Sequence, residues 1–148
     1  MLLSIRLLQP SDVNTISELT RGSLGEVYPT SFYLTITEHW PEGALVATEG
    51  DRIVGFIIGI ISGVRQARIL MLAVDEVHRR GGIAKMLLRA FVSSCLLGRI
   101  YSIILEVRMS NTPAINLYIV FGFSIVDNLR SYYRDGEDGL RMEMVLQS

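Results

Sequence analysis

The residues best placed to do chemistry begin at Arg79-Arg80-Gly81-Gly82-Ile83-Ala84, a run of small residues with two arginines. An apolar stretch ending in Leu72-Ala73-Val74 leads toward it, and a helix-spaced apolar segment follows at once. A small-residue loop opening a helix gathers backbone N–H groups around one point. The positive end of the helix dipole adds to them, so the loop can hold a pyrophosphate. Arg79 and Arg80 would add charge for the phosphates, or would simply be a solvated helix cap. The loop has no Gly-x-Gly-x-x-Gly, and Gly82 is not followed by Lys and Ser/Thr, so neither of the other common phosphate loops fits. Further on, Glu106 sits near the end of an otherwise apolar strand, on the same face as Ile104 and Arg108. Burial there would raise its pKa and suit it to accept a proton, directly or through water. The plainer alternative is a carboxylate paired with Arg108 or capping the next helix. Tyr118 follows twelve positions later. Its phenol can donate a proton, although a helix tyrosine also serves as an ordinary core residue.

These residues need elements to position them. Residues 2–8 alternate weakly as a first strand. Pro10-Ser11-Asp12 opens a helix with Val13, Ile16 and Leu19 on one face and Gly22 as its stop. Residues 24–29 read as a loop. Thr30 or Ser31 caps a second helix in which Phe32, Ile36 and Trp40 recur at every fourth position before Pro41. Strands follow at 44–48, 53–62 and about 67–74. After the glycine loop, Ile83, Leu87, Phe91 and Cys95 form one helical stripe. Residues 101–107 are a further strand, and Asn111-Thr112-Pro113 starts a helix that carries Leu117, Tyr118 and Phe121 to Gly122. Strands near 123–132 and 140–146 end the chain, with Leu140, Met142, Met144 and Leu146 alternating in the last. The expected fold class is α/β, a mixed central sheet of about seven strands with helices on both faces.

At 148 residues the chain has the size of one domain, and no linker or repeat divides residues 1–148. A net charge of -1 gives no electrostatic footprint for nucleic acid. One cysteine excludes an internal disulfide framework, and with two histidines it argues against a metal. Cys95 reads as a small core residue. The apolar run from Ile53 to Val64 is too short to cross a bilayer, and the apolar N-terminus lacks a basic leader and a cleavage site. A cytoplasmic protein with no membrane partner is the expectation.

Strand, turn, glycine loop and helix together resemble the acetyl-CoA-binding motif of the GNAT acetyltransferases, Arg/Gln-x-x-Gly-x-Gly/Ala, filled here by Arg79, Gly82 and Ala84. Residues 105–118, Leu-Glu-Val-Arg-Met-Ser-Asn-Thr-Pro-Ala-Ile-Asn-Leu-Tyr, leading to Gly122-Phe123, resemble the RimI-like branch of that family. Tyr132-Tyr133-Arg134-Asp135-Gly136-Glu137-Asp138 resembles the Tyr-Tyr-x-Asp-Gly-Glu-Asp signature of protein N-terminal acetyltransferases, among them the catalytic subunit of the NatA complex. The three motifs lie in order and cover about half the chain.

The resemblance implies the GNAT fold and acetyl transfer from acetyl-CoA, without a metal, to the α-amine of a protein or peptide. Ribosomal proteins or the ribosome are possible partners by the same resemblance. It makes Glu106 the general base and Tyr118 the general acid toward the departing thiolate. Leu72 and Val74 would offer backbone groups to the pantetheine arm at a bulged strand, and a free N–H there would serve the oxyanion. The phosphates would rest on Arg79, Arg80, Gly81, Gly82, Ile83 and Ala84. Asn111 and Asn116 could contact the pantetheine arm, or Asn111 could only cap its helix. Residues 24–29 match an acceptor loop at Glu26 and Tyr28, with Gly25 in place of a proline. By resemblance Glu26 would face the substrate amine or first side chain, with Tyr28 and Tyr133 as walls. Otherwise these are a surface glutamate and two packing tyrosines. Asp135, Glu137 and Asp138 read as a solvated turn that shapes this wall, His78 as a loop residue and Lys85 as a surface helix residue. The alternatives are an acetyltransferase for a small amine, a polyamine or a lysine side chain, and a non-catalytic acetyl-CoA sensor. The α-amine has the chemical advantage. Its pKa of roughly 7.7–8.0, against about 10.4 for lysine, leaves more of it uncharged near neutrality.

Overall fold

One mixed sheet runs through the molecule. In the structure, a computed structural model that describes residues 2–24 and 28–146, seven strands take the order β1-β2-β3-β4-β5-β7-β6. They are β1 (Leu3–Leu7), β2 (Ala44–Glu49), β3 (Arg52–Gly63), β4 (Gln66–Val74), β5 (Ser102–Arg108), β6 (Ser124–Leu129) and β7 (Gly139–Val145). Every neighbouring pair is antiparallel except β4 and β5. A parallel pair needs a crossover, and α3 (Ile83–Leu97) supplies it. Two helices, α1 (Val13–Leu24) and α2 (Thr30–His39), precede β2, and α4 (Thr112–Phe121) joins β5 to β6.

The strands bury both faces, which is why β2 and β3 read as continuous apolar runs. On one face Ile57, Ile69, Ile103 and Leu105 pack with Leu87, Phe91 and Cys95 of α3 and Tyr118 of α4. On the other, Val46, Phe56, Ile58 and Met71 pack with Ile16 of α1 and Tyr33 of α2. Gly55 and Gly59 of β3 bring α3 close. A Cβ on Gly59 would lie 2.4 Å from the Phe91 ring, and one on Gly55 would lie 3.3 Å from Ile83 and Leu87. Such distances leave no room for even a methyl group at Gly59.

Three expectations change in detail. The first helix does not stop at Gly22 but continues to Leu24, since one glycine weakens a helix without ending it. In α2 the fully buried residue is Tyr33 rather than Phe32. Trp40 lies just beyond the helix, where it packs edge-on against Phe91 at 5.5 Å. The sixth strand ends at Leu129, so Tyr132 and Tyr133 belong to the connection into β7.

Candidate active site

The parallel pair comes apart partway along. Residues 66–69 of β4 pair with 102–105 of β5, and the pairing ends at Ile69–Leu105, although β4 continues to Val74 and β5 to Arg108. The cause lies on the other edge of β4. Ile58 pairs with Met71 and Gly59 with Ile69, so Leu70 is an extra residue. Such a bulge bends its strand and adds twist. It also resets the alternation: Ala67 and Ile69 face α3, whereas Met71 and Ala73 face α1 and α2.

A cavity of about 720 Å³ fills the fork on the α3–α4 side. Leu72, Ala73 and Val74 form one wall, and Asn111, Pro113, Ala114, Leu117 and Tyr118 form the other. His78, Arg79, Arg80, Gly82, Ile83, Ala84 and Lys85 close the end. The wall along residues 72–74 is a strand edge past its last β5 partner, where an extended chain bearing amides can add itself to the sheet.

The end of the cavity has a geometry suited to an anion. Arg80 and Gly82 both have left-handed backbones, with φ of 68° and 83°, and Gly82 is the N-cap of α3. The first hydrogen bond of the helix runs from the Met86 amide to the Gly82 carbonyl, so the preceding amides lack intrahelical acceptors. Arg79 donates from Nε to the Val74 carbonyl at 3.3 Å and so ties the loop to the end of β4. Arg80 is exposed and, among the described residues, has no ion-pair partner. Lys85, expected on the surface, is half-buried and lines the cavity as a third cation. His78 also lines it, with Nε2 3.4 Å from Glu49 Oε1 and Nδ1 3.4 Å from Asp75 Oδ2. Gly81 and Asn116 are exposed and outside the lining.

Tyr118 hangs from α4 into this space, 8% exposed and edge-on to Phe123 at 5.5 Å. Burial, and secondarily Tyr133, push its phenol well above the ordinary value of 10.0. It therefore keeps its proton throughout the neutral range, as a proton donor must. Asn111 caps α4, its side chain accepting from the Ala114 amide at 3.3 Å, while also bordering the cavity.

Glu106 is on the opposite face. Leu105 and Val107 pack toward α3 and α4, so strand alternation turns Glu106 away from the cavity lining. It is neither paired with Arg108 nor capping α4. Its Oε1 is 3.4 Å from Arg68, and its Oε2 accepts from Arg141 Nε at 3.0 Å. Arg108 is engaged elsewhere, donating to Asp135 and Glu137 at 2.9 Å each and lying 4.2 Å from the centre of the Tyr133 ring. The acidic turn thus does more than meet solvent. Glu137 also accepts from the Ser110 amide, and Asp138 from the Ser131 amide, so the turn pins the loop bearing Tyr132 and Tyr133 to the end of β5. Tyr133 is half-buried, its phenol raised chiefly by burial and then by Tyr132, while Arg108 opposes the rise and Glu106 and Glu137 add to it. Tyr133 thereby feels the charge on Glu106 and itself acts on Tyr118.

Tyr28 stacks on Phe32 at 4.8 Å and meets Tyr33 edge-on at 6.2 Å. Glu26 lies outside the described residues. Among the described residues no group of three or more His, Cys, Asp or Glu could hold a metal ion, and no helix is long and apolar enough to cross a membrane.

The arrangement offers a phosphate cradle, a strand edge for amides and a protonated phenol on one side of a forked sheet, with a carboxylate on the other. Comparison with known proteins agrees. The model of the acetyltransferase (GNAT) family matches residues 13–123. An N-alpha-acetyltransferase from Sulfurisphaera tokodaii is 35% identical, the match covering 93% of this chain and 90% of that protein. The N-terminal acetyltransferase B complex catalytic subunit NAA20 from Arabidopsis thaliana is 32% identical, over 97% of this chain and 85% of its own. The crystal structure of Ard1 from Thermoplasma volcanium superposes over 100% of both chains with a TM-score of 0.94 at 36% identity. With its bulged, forked sheet and its glycine loop at the start of α3, the chain belongs to the GNAT family of acetyltransferases.

Proposed function

We propose that the protein transfers the acetyl group of acetyl-CoA to the α-amine at the N-terminus of proteins or peptides. The observation that carries this reading is the fork. It opens the sheet where β4 leaves β5, so that a donor seated on one face can meet an acceptor entering from the other. The relatives from Sulfurisphaera tokodaii and Arabidopsis thaliana, named an N-alpha-acetyltransferase and an N-terminal acetyltransferase B complex catalytic subunit, support the choice of acceptor.

The residues divide the work. The amides at the start of α3, with Arg79, Arg80 and Lys85, hold the diphosphate of the carrier. Leu72 and Val74 pair through their backbone with its amide-bearing arm, and Asn111 borders the same channel. The amine nitrogen bonds to the thioester carbon as the carbon–sulfur bond breaks, and the electron pair leaves with sulfur. Glu106 takes the amine proton, directly or through water, and Tyr118 gives a proton to the sulfur, so the products are an amide and a thiol. Tyr28 and Tyr133 wall the acceptor side.

We further infer a cytoplasmic setting in which nascent chains or ribosomal proteins present their N-termini. The lone buried thiol of Cys95 suits a reducing compartment.

The test is to incubate the protein with acetyl-CoA and short peptides beginning Ser, Ala, Thr or Met-Leu, each with a free or a blocked α-amine, and with spermidine. Acetylation of free but not blocked peptides is expected. Turnover of spermidine alone, or of an internal lysine in blocked peptides alone, would overturn the reading.

A further inference from the structure

Three strands that meet at the fork each contribute one charged residue to a single cluster. Arg68 of β4 lies one residue before the pairing with β5 ends, and Glu106 of β5 lies one residue beyond it. Arg141 of β7 stands directly opposite Glu106 in register. The two arginines approach different oxygens of the one carboxylate, at 3.4 and 3.0 Å. This fixes where the carboxylate sits and how it is turned about its axis. Each oxygen keeps a further lone pair for an incoming donor. The Glu106 side chain is 10% exposed and the arginines about 30%, so solvent reaches the cluster.

Two observations argue that stability does not explain the cluster. Arg68 Nε is buried without a hydrogen-bond partner, a cost the fold would avoid by placing an apolar residue there. Arg108, on the same face of β5, is committed to the acidic turn and to Tyr133, so it cannot stand in for either clamp. Ion clusters of this kind are often replaced by apolar residues of similar volume without loss of stability.

We propose that Arg68 and Arg141 are positioning residues for acetyl transfer, holding the Glu106 carboxylate at the vertex of the β4–β5 fork so that its remaining lone pairs meet the acceptor amine. The inference rests on the function proposed above. The charged and titratable groups around Glu106 are Arg68 from β4, Arg108 from β5, Arg141 from β7 and Tyr133 from the loop before β7. With either clamp removed, the orientation of the carboxylate loosens.

The experiment compares Arg68→Met, Arg141→Met, Arg68→Lys and Glu106→Gln, alone and combined, on one acetylatable peptide. Each methionine variant should lose about 10–100-fold in kcat, the scale set by misplacing a reacting group by roughly an ångström. The KM for acetyl-CoA should stay at the parental value, so that the loss falls on kcat alone. Arg68→Lys should recover part of the loss. Adding either methionine substitution to Glu106→Gln should cost nothing further, as for residues that act as a unit. Melting temperatures should stay at or above the parental one. Parental kcat in a methionine variant would overturn the proposal. So would losses that multiply onto Glu106→Gln, or melting far below the parent in both methionine variants. A parent that acetylates no free peptide would instead remove the proposed function itself, a result distinguishable from all of these.

Discussion

The division of labour proposed for Tyr118 and Glu106 follows from how differently the fold treats the two groups. Tyr118 is enclosed by α4, Phe123 and the cavity wall, and its phenol is held protonated by burial. Glu106 is held by cations at the open side of the sheet. A buried phenol can give a proton, and an ion-paired carboxylate can receive one. Tyr118→Phe keeps the ring and its packing while removing only the hydroxyl. It should lower kcat by about 10²–10⁴-fold, the usual worth of a positioned acid, and leave acetyl-CoA affinity unchanged by calorimetry. Equal turnover in variant and parent would take Tyr118 out of the mechanism. Both residues are singled out in the sequence by their place in a family motif, since type and position alone fit a paired carboxylate and a core tyrosine equally well. The clamps on Glu106 are not singled out. Arg68 and Arg141 reach it through cross-strand register, which no local pattern in a single sequence records.

Among the elements, α3 carries the phosphate-binding end, and its placement depends on two glycines of the strand beneath it. The stripe Ile83, Leu87, Phe91 and Cys95 is legible as helical period, and all four are buried as expected. The closeness of the helix to β3 is not legible, because a glycine in an apolar strand reads only as a weak strand former. Gly59→Ala would drive a methyl group into the Phe91 ring, and the Arg68 carbonyl lies 3.0 Å from the same point. Overpacking of this kind should cost about 1–3 kcal/mol in denaturant unfolding. Because α3 moves as a unit, the KM for acetyl-CoA should rise as well. Unchanged stability with unchanged KM would show that the helix does not rely on this contact. The bulge at Leu70 was expected only by family resemblance. Nothing in Ile-Leu-Met-Leu marks one leucine as the extra residue, since the bulge is set by the pairing with β3.

For the whole molecule, the proposed function makes the two faces of the sheet two entrances, one for each substrate. The glycine loop on the donor side can be read from local residues, whereas the acceptor wall at Tyr133 and Glu106 is reached in the sequence through family resemblance. A phosphate cradle demands glycines and a helix start at fixed spacing, whereas the acceptor side is assembled from residues of β4, β5, β7 and the loop before β7. The buried interior also sets the pH range of the fold. Cys95 is fully buried, and burial pushes its thiol from 9.0 up to about 12, while Tyr118 is raised in the same direction. Both groups hold their protons to higher pH in the folded chain than in the unfolded one. Stability is thus complete below the unfolded values and lost as pH rises through the folded ones. The melting temperature should be level up to about pH 8.5 and fall above it, and Cys95→Ala should delay the first part of the fall. A melting temperature that climbs above that pH would contradict this account. The most direct measurement of the central claim is a crystal structure with coenzyme A. The account predicts the diphosphate on the amides that open α3, the amide-bearing arm along residues 72–74 of β4, and the thiol at the fork beside Tyr118. Coenzyme A bound on any other surface, or with its thiol turned out of the fork, would contradict it.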